Sequence, residues 1–126
     1  MDVLAAARVL ALGRVGFGAA MLVAPGLAGR PWIGDAADTP GGSIAVRALG
    51  VRDLILGGIA AHVVDRGPVA ARAAQANAIA DLVDFTATLA ARRSLPPTAA
   101  GVIALAGGAA IAGTVVSRLL AAQPSG

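Results

Sequence analysis

The stretch SLPPTAAGVIALAGGAAIAGTVVS, residues 94–117, contains no charged side chain. A helix of about 20 apolar residues crosses the hydrocarbon core of a bilayer, so this stretch predicts a membrane-spanning helix. Three other apolar segments of similar length precede it, and residues typical of turns separate them. The sequence therefore predicts one all-α domain over residues 1–126, a four-helix transmembrane bundle with helices at about 4–24, 44–64, 69–91 and 98–122.

The composition agrees with a location in lipid. Only 13% of the 126 residues are charged, whereas a soluble domain usually carries about 25%. The hydrophobic fraction of 57% excludes a disordered chain, and the absence of Cys excludes disulfides and thiolate chemistry. We therefore expect an integral protein of the cell (inner) membrane. A soluble Ala-rich bundle is the alternative that the composition leaves open.

The segment between the first two predicted helices is rich in residues that break helices. Residues 25–42 contain three Pro, five Gly and the only Trp of the chain. They predict a long Pro/Gly-rich connection that includes a short interfacial helix, with Ser43 as the N-cap of the second long helix. We expect Trp32 to anchor this connection at the membrane interface and to cover the charged cluster described next.

Of the charged side chains in the predicted helices, six are expected to form one cluster. At 1.5 Å per residue, all of them but one lie near mid-depth, and the exception, Arg47, is expected to reach towards Asp84. With three Arg and three Asp the cluster is formally neutral, and a paired network is tolerated in lipid where an isolated charge is not. The six are Arg14 in the first helix, Arg47, Arg52 and Asp53 in the second, and Asp81 and Asp84 in the third.

The third predicted helix carries a polar face. Asn77, Asp81, Asp84 and Thr88 are spaced i, i+4, i+7 and i+11, which places all four on one side of a helix. An Arg guanidinium is the natural partner for a carboxylate on such a face, because it binds in a bidentate manner and keeps its charge.

Three functions fit this cluster. The first is structural: the Arg–Asp pairs fix helix register in a structural, accessory or interaction protein. The second is an enzyme that acts on an apolar small molecule by hydrolase-like or isomerase-like acid–base chemistry. The third is a proton or small-solute pathway formed by an oligomer. For the enzyme, the catalytic candidates are Asp81, Asp84, Asp53 and Arg52, with Asn77, Arg14 and Arg47 in support.

The remaining residues limit the partners. His62 is the only His and there is no Cys or Glu, so we expect no metal site; with no phosphate-binding motif, we expect no cofactor either. Dispersed Arg residues and three aromatics argue against nucleic acid. The expected partners are the lipid bilayer, a second copy or a larger membrane complex, and an apolar small molecule. More Arg residues lie on the membrane side of the predicted bundle that holds both termini than on the opposite side, which favours cytoplasmic termini.

Three motifs resemble a known group of proteins. RALGVRDLILG (47–57), LVAPGLAGRPWIGD (22–35) and IADLVDFTATL (79–89) look like segments of an uncharacterised family of small four-helix integral membrane proteins of actinobacteria. The resemblance would cover nearly the whole chain. It implies the fold and the membrane location, and it implies no activity and no functional residue.

Overall fold

The structure is a computed structural model that describes residues 2–124. Within that range the chain forms five α-helices and no β-strand, so the predicted all-α class is confirmed. The four long helices match the four predicted segments to within a few residues, and the additional short helix lies in the connection. The helices are α1 (Val3–Val23), α2 (Pro25–Ile33), α3 (Pro40–His62), α4 (Pro68–Ala91) and α5 (Ala99–Ala121).

The predicted start of the second long helix is wrong. Helix α3 begins at Pro40, and its N-cap is Thr39 rather than Ser43. The Thr39 hydroxyl accepts a hydrogen bond from the Gly42 amide at 3.0 Å, and Pro40 occupies the first helical position, where its missing N–H costs nothing. The Thr39-Pro40 pair therefore starts the helix, although the two glycines that follow predict a loop.

The connection before α3 is helical almost throughout. Helix α2 is followed directly by a 3-10 helix over Gly34–Asp38, and Gly34 takes a positive φ of 62° between them. The 3-10 helix folds back on the start of α3, where a Cβ on Gly42 would lie 1.8 Å from the Ala36 carbonyl oxygen. A residue without a side chain is therefore required at position 42.

Helices α1 and α3 form a close antiparallel pair. A Cβ on Gly57 would lie 2.8 Å from the Ala11 carbonyl oxygen, and one on Gly50 would lie 2.7 Å from that of Gly18. The pairing therefore runs in opposite directions along the two helices. Small residues allow such a backbone approach, and van der Waals contact then holds the helices together.

Helices α4 and α5 form the second antiparallel pair. A Cβ on Gly113 would lie 3.1 Å from the Ala78 Cβ, and one on Gly107 would meet the Phe85 ring at 3.1 Å. Ser117 of α5 donates a hydrogen bond to the Ala71 carbonyl of α4 at 2.9 Å. The α4–α5 pair thus combines small-residue packing with one polar contact.

The two pairs meet in an apolar cluster near the N-terminal end of α1. Its buried centre comes from α4 and α5, and partly buried residues at the start of α1 pack against it. This cluster closes one end of the space between the pairs. The buried members are Ala70, Ala71, Val116 and Leu120.

The outer surface of the bundle is apolar over its middle. Helices α1 and α5 are long and apolar enough to cross a membrane. In the middle of α3 and α4, Ile55, Ile59, Leu82 and Val83 are each more than half exposed, whereas the charged residues at the same level face inwards. The charged side chains in the middle of α3 and α4 (Arg52, Asp53, Asp81 and Asp84) are therefore turned towards the interior of the bundle.

Candidate functional site

Arg14 joins the two helix pairs. Its Nη1 donates a hydrogen bond to Asp53 Oδ1 of α3 at 2.8 Å. Its Nη2 donates to Asp81 Oδ1 of α4 and, at 3.4 Å, to the main-chain carbonyl of Asn77. The Arg14 side chain is 10% exposed, so these ion pairs are well shielded from the surroundings.

Arg52 forms the second link. Its Nη1 and Nη2 donate to Asp84 Oδ1 and Oδ2 at 3.0 and 2.7 Å, which is the bidentate arrangement that guanidinium and carboxylate groups favour. Its Nε and Nη2 also lie 3.2 and 3.1 Å from Asp53 Oδ1. Asp53 therefore accepts from both Arg14 and Arg52, and it is the common centre of the network.

Arg47 is not part of this network, and the expectation that it reaches Asp84 is wrong. Its side chain is exposed and donates to the Leu22 carbonyl at 3.2 Å and to Ser43 Oγ at 2.9 Å. The Leu22 carbonyl belongs to the last turn of α1, where main-chain oxygens lack partners within the helix. Arg47 is therefore drawn to the end of α1 rather than to the cluster.

Because Arg47 lies outside the cluster, the charge of the cluster differs from the expected one. We call the five remaining side chains the Arg/Asp network: Arg14, Arg52, Asp53, Asp81 and Asp84. Two guanidinium groups face three carboxylates, so the network carries a formal charge of −1 rather than the expected zero. Asp53 and Asp81 are 5% and 9% exposed, so this excess charge is buried.

The predicted polar face of α4 is confirmed. Asn77, Asp81 and Asp84 line one cavity, and Thr88 is buried further along the same face. Asn77 Nδ2 donates to the Ala73 carbonyl at 2.8 Å, one turn back along the helix. Asn77 Oδ1 is buried and has no hydrogen-bond partner within residues 2–124, so it presents an acceptor that this part of the chain does not use.

The cavity has a volume of about 390 Å³ and lies between the two helix pairs. One wall is polar and contains Arg14 together with the three carboxylates of the network and Asn77. The other walls are apolar and come mostly from small residues, so the space exists because few side chains are large enough to fill it. The small lining residues include Ala7, Gly13, Ala74, Ala106, Ala109 and Gly113.

The cavity opens sideways, between α1 and α5. Three of its lining residues, Val9, Phe17 and Leu105, are also 61%, 42% and 62% exposed on the outer surface. The opening is therefore bordered by apolar side chains and lies on the apolar outer face. These residues were not recognised from the sequence, because their spacing does not distinguish the edge of a cavity from an ordinary apolar face.

Helix α2 covers part of the site. Trp32 lines the cavity, and its Nε1 donates to Thr88 Oγ1 at 3.0 Å, so the short helix is attached to α4. An exposed ion pair between Arg30 and Asp38, at 2.8 Å, connects α2 to the 3-10 helix that follows. The hydrogen bond to Asp38 raises the pKa of the Arg30 guanidinium, which keeps its charge.

The shape of the cavity and the position of its polar groups resemble those of a small-molecule site. Within the part of the chain that the structure describes, no group of three His, Asp or other acidic side chains is placed to hold a metal. A concave, mostly apolar space with a few polar groups on one wall is the usual form of a small-molecule site. Each carboxylate is already held by an Arg, so the polar wall is fixed before any ligand enters.

No protein-family model, curated protein or solved structure matches this chain. The resemblance to small actinobacterial membrane proteins therefore stays a prediction.

Proposed function

We propose that this protein is an integral membrane protein that binds an apolar small molecule between its two helix pairs. The observation that carries the proposal is the cavity of about 390 Å³, in which apolar walls meet the buried Arg/Asp network. Sites for small molecules usually enclose about 300–1,000 Å³ and use a few polar groups to orient the ligand. The lateral opening between α1 and α5 suits a ligand that arrives from lipid.

The distribution of charge supports the membrane location. Charged residues outside the network lie within about two turns of a helix end or in the connections, and the exposed side chains between them are mostly apolar. A charge at the centre of a bilayer costs about 2.5–3.5 kcal/mol, which explains why the charges at mid-depth are turned inwards and paired. The predicted cytoplasmic termini depend on counting four Arg on their side (Arg8, Arg66, Arg72 and Arg118) against three on the other (Arg30, Arg92 and Arg93). Because Arg47 is exposed at the Leu22 end of α1, that other side also carries four Arg, and the positive-inside rule favours neither orientation.

The network also has a structural role in this proposal. It connects α1 and α3 to α4 by ion pairs, at the level where the cavity leaves few apolar contacts between the helix pairs. A structural or accessory role and ligand binding are therefore compatible. Association with a second copy or with a larger membrane complex remains a prediction.

Acid–base catalysis on the bound molecule is the second candidate. It is favoured by the placement of Asp81 and Asp84 on the cavity wall beside the unpartnered Asn77 Oδ1, which can accept a hydrogen bond from a water molecule. Under this candidate Asp81→Asn abolishes turnover of an apolar substrate and leaves the fold intact. If the substitution prevents folding, the role of Asp81 is structural.

Two experiments test the main proposal. Extraction from cell membranes should require detergent, and release by high salt or alkali alone would contradict the membrane location. For binding, the protein is placed in bilayer nanodiscs and its unfolding temperature is measured with and without dodecanol. A molecule that binds the folded state raises this temperature in a concentration-dependent way.

A pair of glycines on α1 supplies the matched control. A Cβ on Gly13 or on Gly16 has no described atom within 4 Å, but only Gly13 belongs to the cavity lining. We expect Gly13→Phe to abolish the dodecanol-induced rise and Gly16→Phe to preserve it. An equal rise in both variants would indicate an effect on the bilayer, and the proposed cavity site would be wrong.

A further inference from the structure

We infer that the occupant of the cavity carries one positive charge, as a long-chain or arylalkyl ammonium ion does. This inference rests on the proposed function and specifies the chemical class of the ligand. It starts from the composition of the Arg/Asp network, in which two guanidinium groups serve three carboxylates. The network is thus one positive charge short of neutrality.

Within residues 2–124, Arg14 and Arg52 are the only Arg residues that form ion pairs with these carboxylates. Arg47, which would have balanced the cluster, is turned towards the end of α1 and bonds to the Leu22 carbonyl. In the described part of the cavity lining, the charged residues are Arg14 and three Asp. Each carboxylate has an Arg partner, but the buried network as a whole keeps one excess negative charge, so a cation entering the cavity is attracted by that charge.

The hydrogen-bonding capacity of the wall points to the same kind of ligand. Asp53 and Asp81 both use Oδ1 for their ion pairs, and their Oδ2 atoms accept no hydrogen bond from residues 2–124. Asn77 Oδ1 is a third acceptor without a donor. An ammonium group offers three donors and no acceptor, so it complements a wall on which acceptors are in excess.

The aromatic residues strengthen this preference. Two of the three aromatics in the chain, Phe17 and Trp32, line the cavity. Aromatic faces attract cations, and the attraction increases where water is excluded. A carboxylate or phosphate head group would instead meet three carboxylates, so an anionic amphiphile is disfavoured.

The remaining walls define the rest of the molecule. They are apolar, and the opening between α1 and α5 is bordered by Val9, Phe17 and Leu105. The charged end therefore lies at the network and an apolar tail extends towards the opening. A volume of about 390 Å³ accepts a molecule of the size of a small drug and is too small for a whole two-chain phospholipid.

The test compares three probes that share one tail. Dodecylamine, dodecanol and dodecanoate are added at equal mole fractions to nanodiscs of neutral phosphatidylcholine that contain the protein. Binding is read from the fluorescence of Trp32, which is the only Trp and lines the cavity, and from the unfolding temperature. We expect dodecylamine to bind at least about tenfold more tightly than dodecanol, and dodecanoate to bind most weakly.

A substitution isolates the excess charge. Asp81→Asn makes the network neutral, so the ratio of dodecylamine affinity to dodecanol affinity, both measured on this variant, should fall to less than about threefold. Asp35→Asn is the control, because Asp35 is exposed in the 3-10 helix and should leave the preference unchanged. If the Asp81 variant does not fold, the affinities of the three probes for the unaltered protein decide whether the ligand is cationic.

The outcomes separate the two proposals. Equal binding of dodecanol and dodecylamine would mean that a proton already neutralises the network, and the inference of a cationic ligand would be overturned while the cavity site stands. Preference for dodecanoate would overturn it as well. If none of the probes changes Trp32 fluorescence or the unfolding temperature, the proposed binding function itself fails.

Discussion

Gly18 of α1 and Gly50 of α3 lie so close together that neither position can accept a side chain. A Cβ on Gly18 would lie 2.6 Å from the Gly50 carbonyl oxygen, and a Cβ on Gly50 would lie 2.7 Å from the Gly18 carbonyl oxygen. The α1–α3 pair therefore has no space at this crossing for even one methyl group. Because Asp53 lies one turn beyond Gly50, this contact also sets the distance over which Arg14 reaches its carboxylate.

We expect Gly50→Ala to destabilise the protein. The added methyl group meets backbone atoms, which cannot rotate away, and overpacking of this kind costs about 1–3 kcal/mol. The measurement is the free energy of unfolding in detergent or nanodiscs. Gly58→Ala is the matched control on the same helix, because a Cβ there meets no described atom within 4 Å. That variant should be as stable as the original or more stable by up to about 1 kcal/mol, and equal destabilisation of both would contradict the close approach.

Replacing Arg14 by Met should be among the most damaging single changes. It leaves Asp53 with Arg52 as its remaining partner and Asp81 without an ion pair, and breaking a buried pair typically costs about 3–5 kcal/mol. The free energy of unfolding measures the loss. Arg30→Gln breaks an exposed ion pair instead and should leave it unchanged. A similar effect of both substitutions would show that the network has no structural role.

Filling the cavity from α5 should remove ligand binding without loss of the fold. Ala109 lines the cavity, so the Phe ring of Ala109→Phe would occupy part of the space of about 390 Å³. Ala104→Phe on the exposed face of the same helix is the control. Dodecanol should no longer raise the unfolding temperature of the first variant and should raise that of the second. Retained binding in the first would place the ligand elsewhere.

The hydrogen bond from Trp32 to Thr88 should hold α2 against the bundle. Trp32→Phe keeps an aromatic ring and removes the donor, at a cost of about 0.5–1.5 kcal/mol. We expect faster amide hydrogen exchange in α2 and unchanged exchange in α5, because this bond attaches α2 to α4 and its loss lowers the free energy of local opening of α2. Thr88→Val removes the same bond, so the double variant should exchange no faster than the faster single one. Additive effects would mean that the two residues act independently.

Much of the network follows from the sequence. The polar face of α4 depends on helical spacing alone, and the meeting of Arg14 with Asp53 and Asp81 depends on matched depth along the helices. Depth does not determine the direction of a long side chain, however. The position of Arg47 along α3 predicts that it joins the cluster. Its guanidinium instead donates a hydrogen bond to the main-chain carbonyl of Leu22 at the end of α1.

Helical spacing and depth do not predict the cavity or the start of α3. A space between helices depends on which small residues of α1, α4 and α5 face one another, and Ala and Gly are so frequent here that their spacing carries little information. At α3, Gly41 and Gly42 suggested a loop. The crowding of Gly42 by the Ala36 carbonyl, which explains the glycine, becomes visible only once the 3-10 helix is folded back.

The division of the network between the two helix pairs has a consequence for synthesis. The first pair contributes Arg14, Arg52 and Asp53, a surplus of one positive charge, whereas the second contributes Asp81 and Asp84, two negative charges. In a bilayer, a nascent chain that has inserted α1 and α3 alone would hold an unbalanced cation in lipid until α4 arrives. Under the proposed membrane location, the order of the charges along the chain would therefore couple insertion of the second half to its docking on the first.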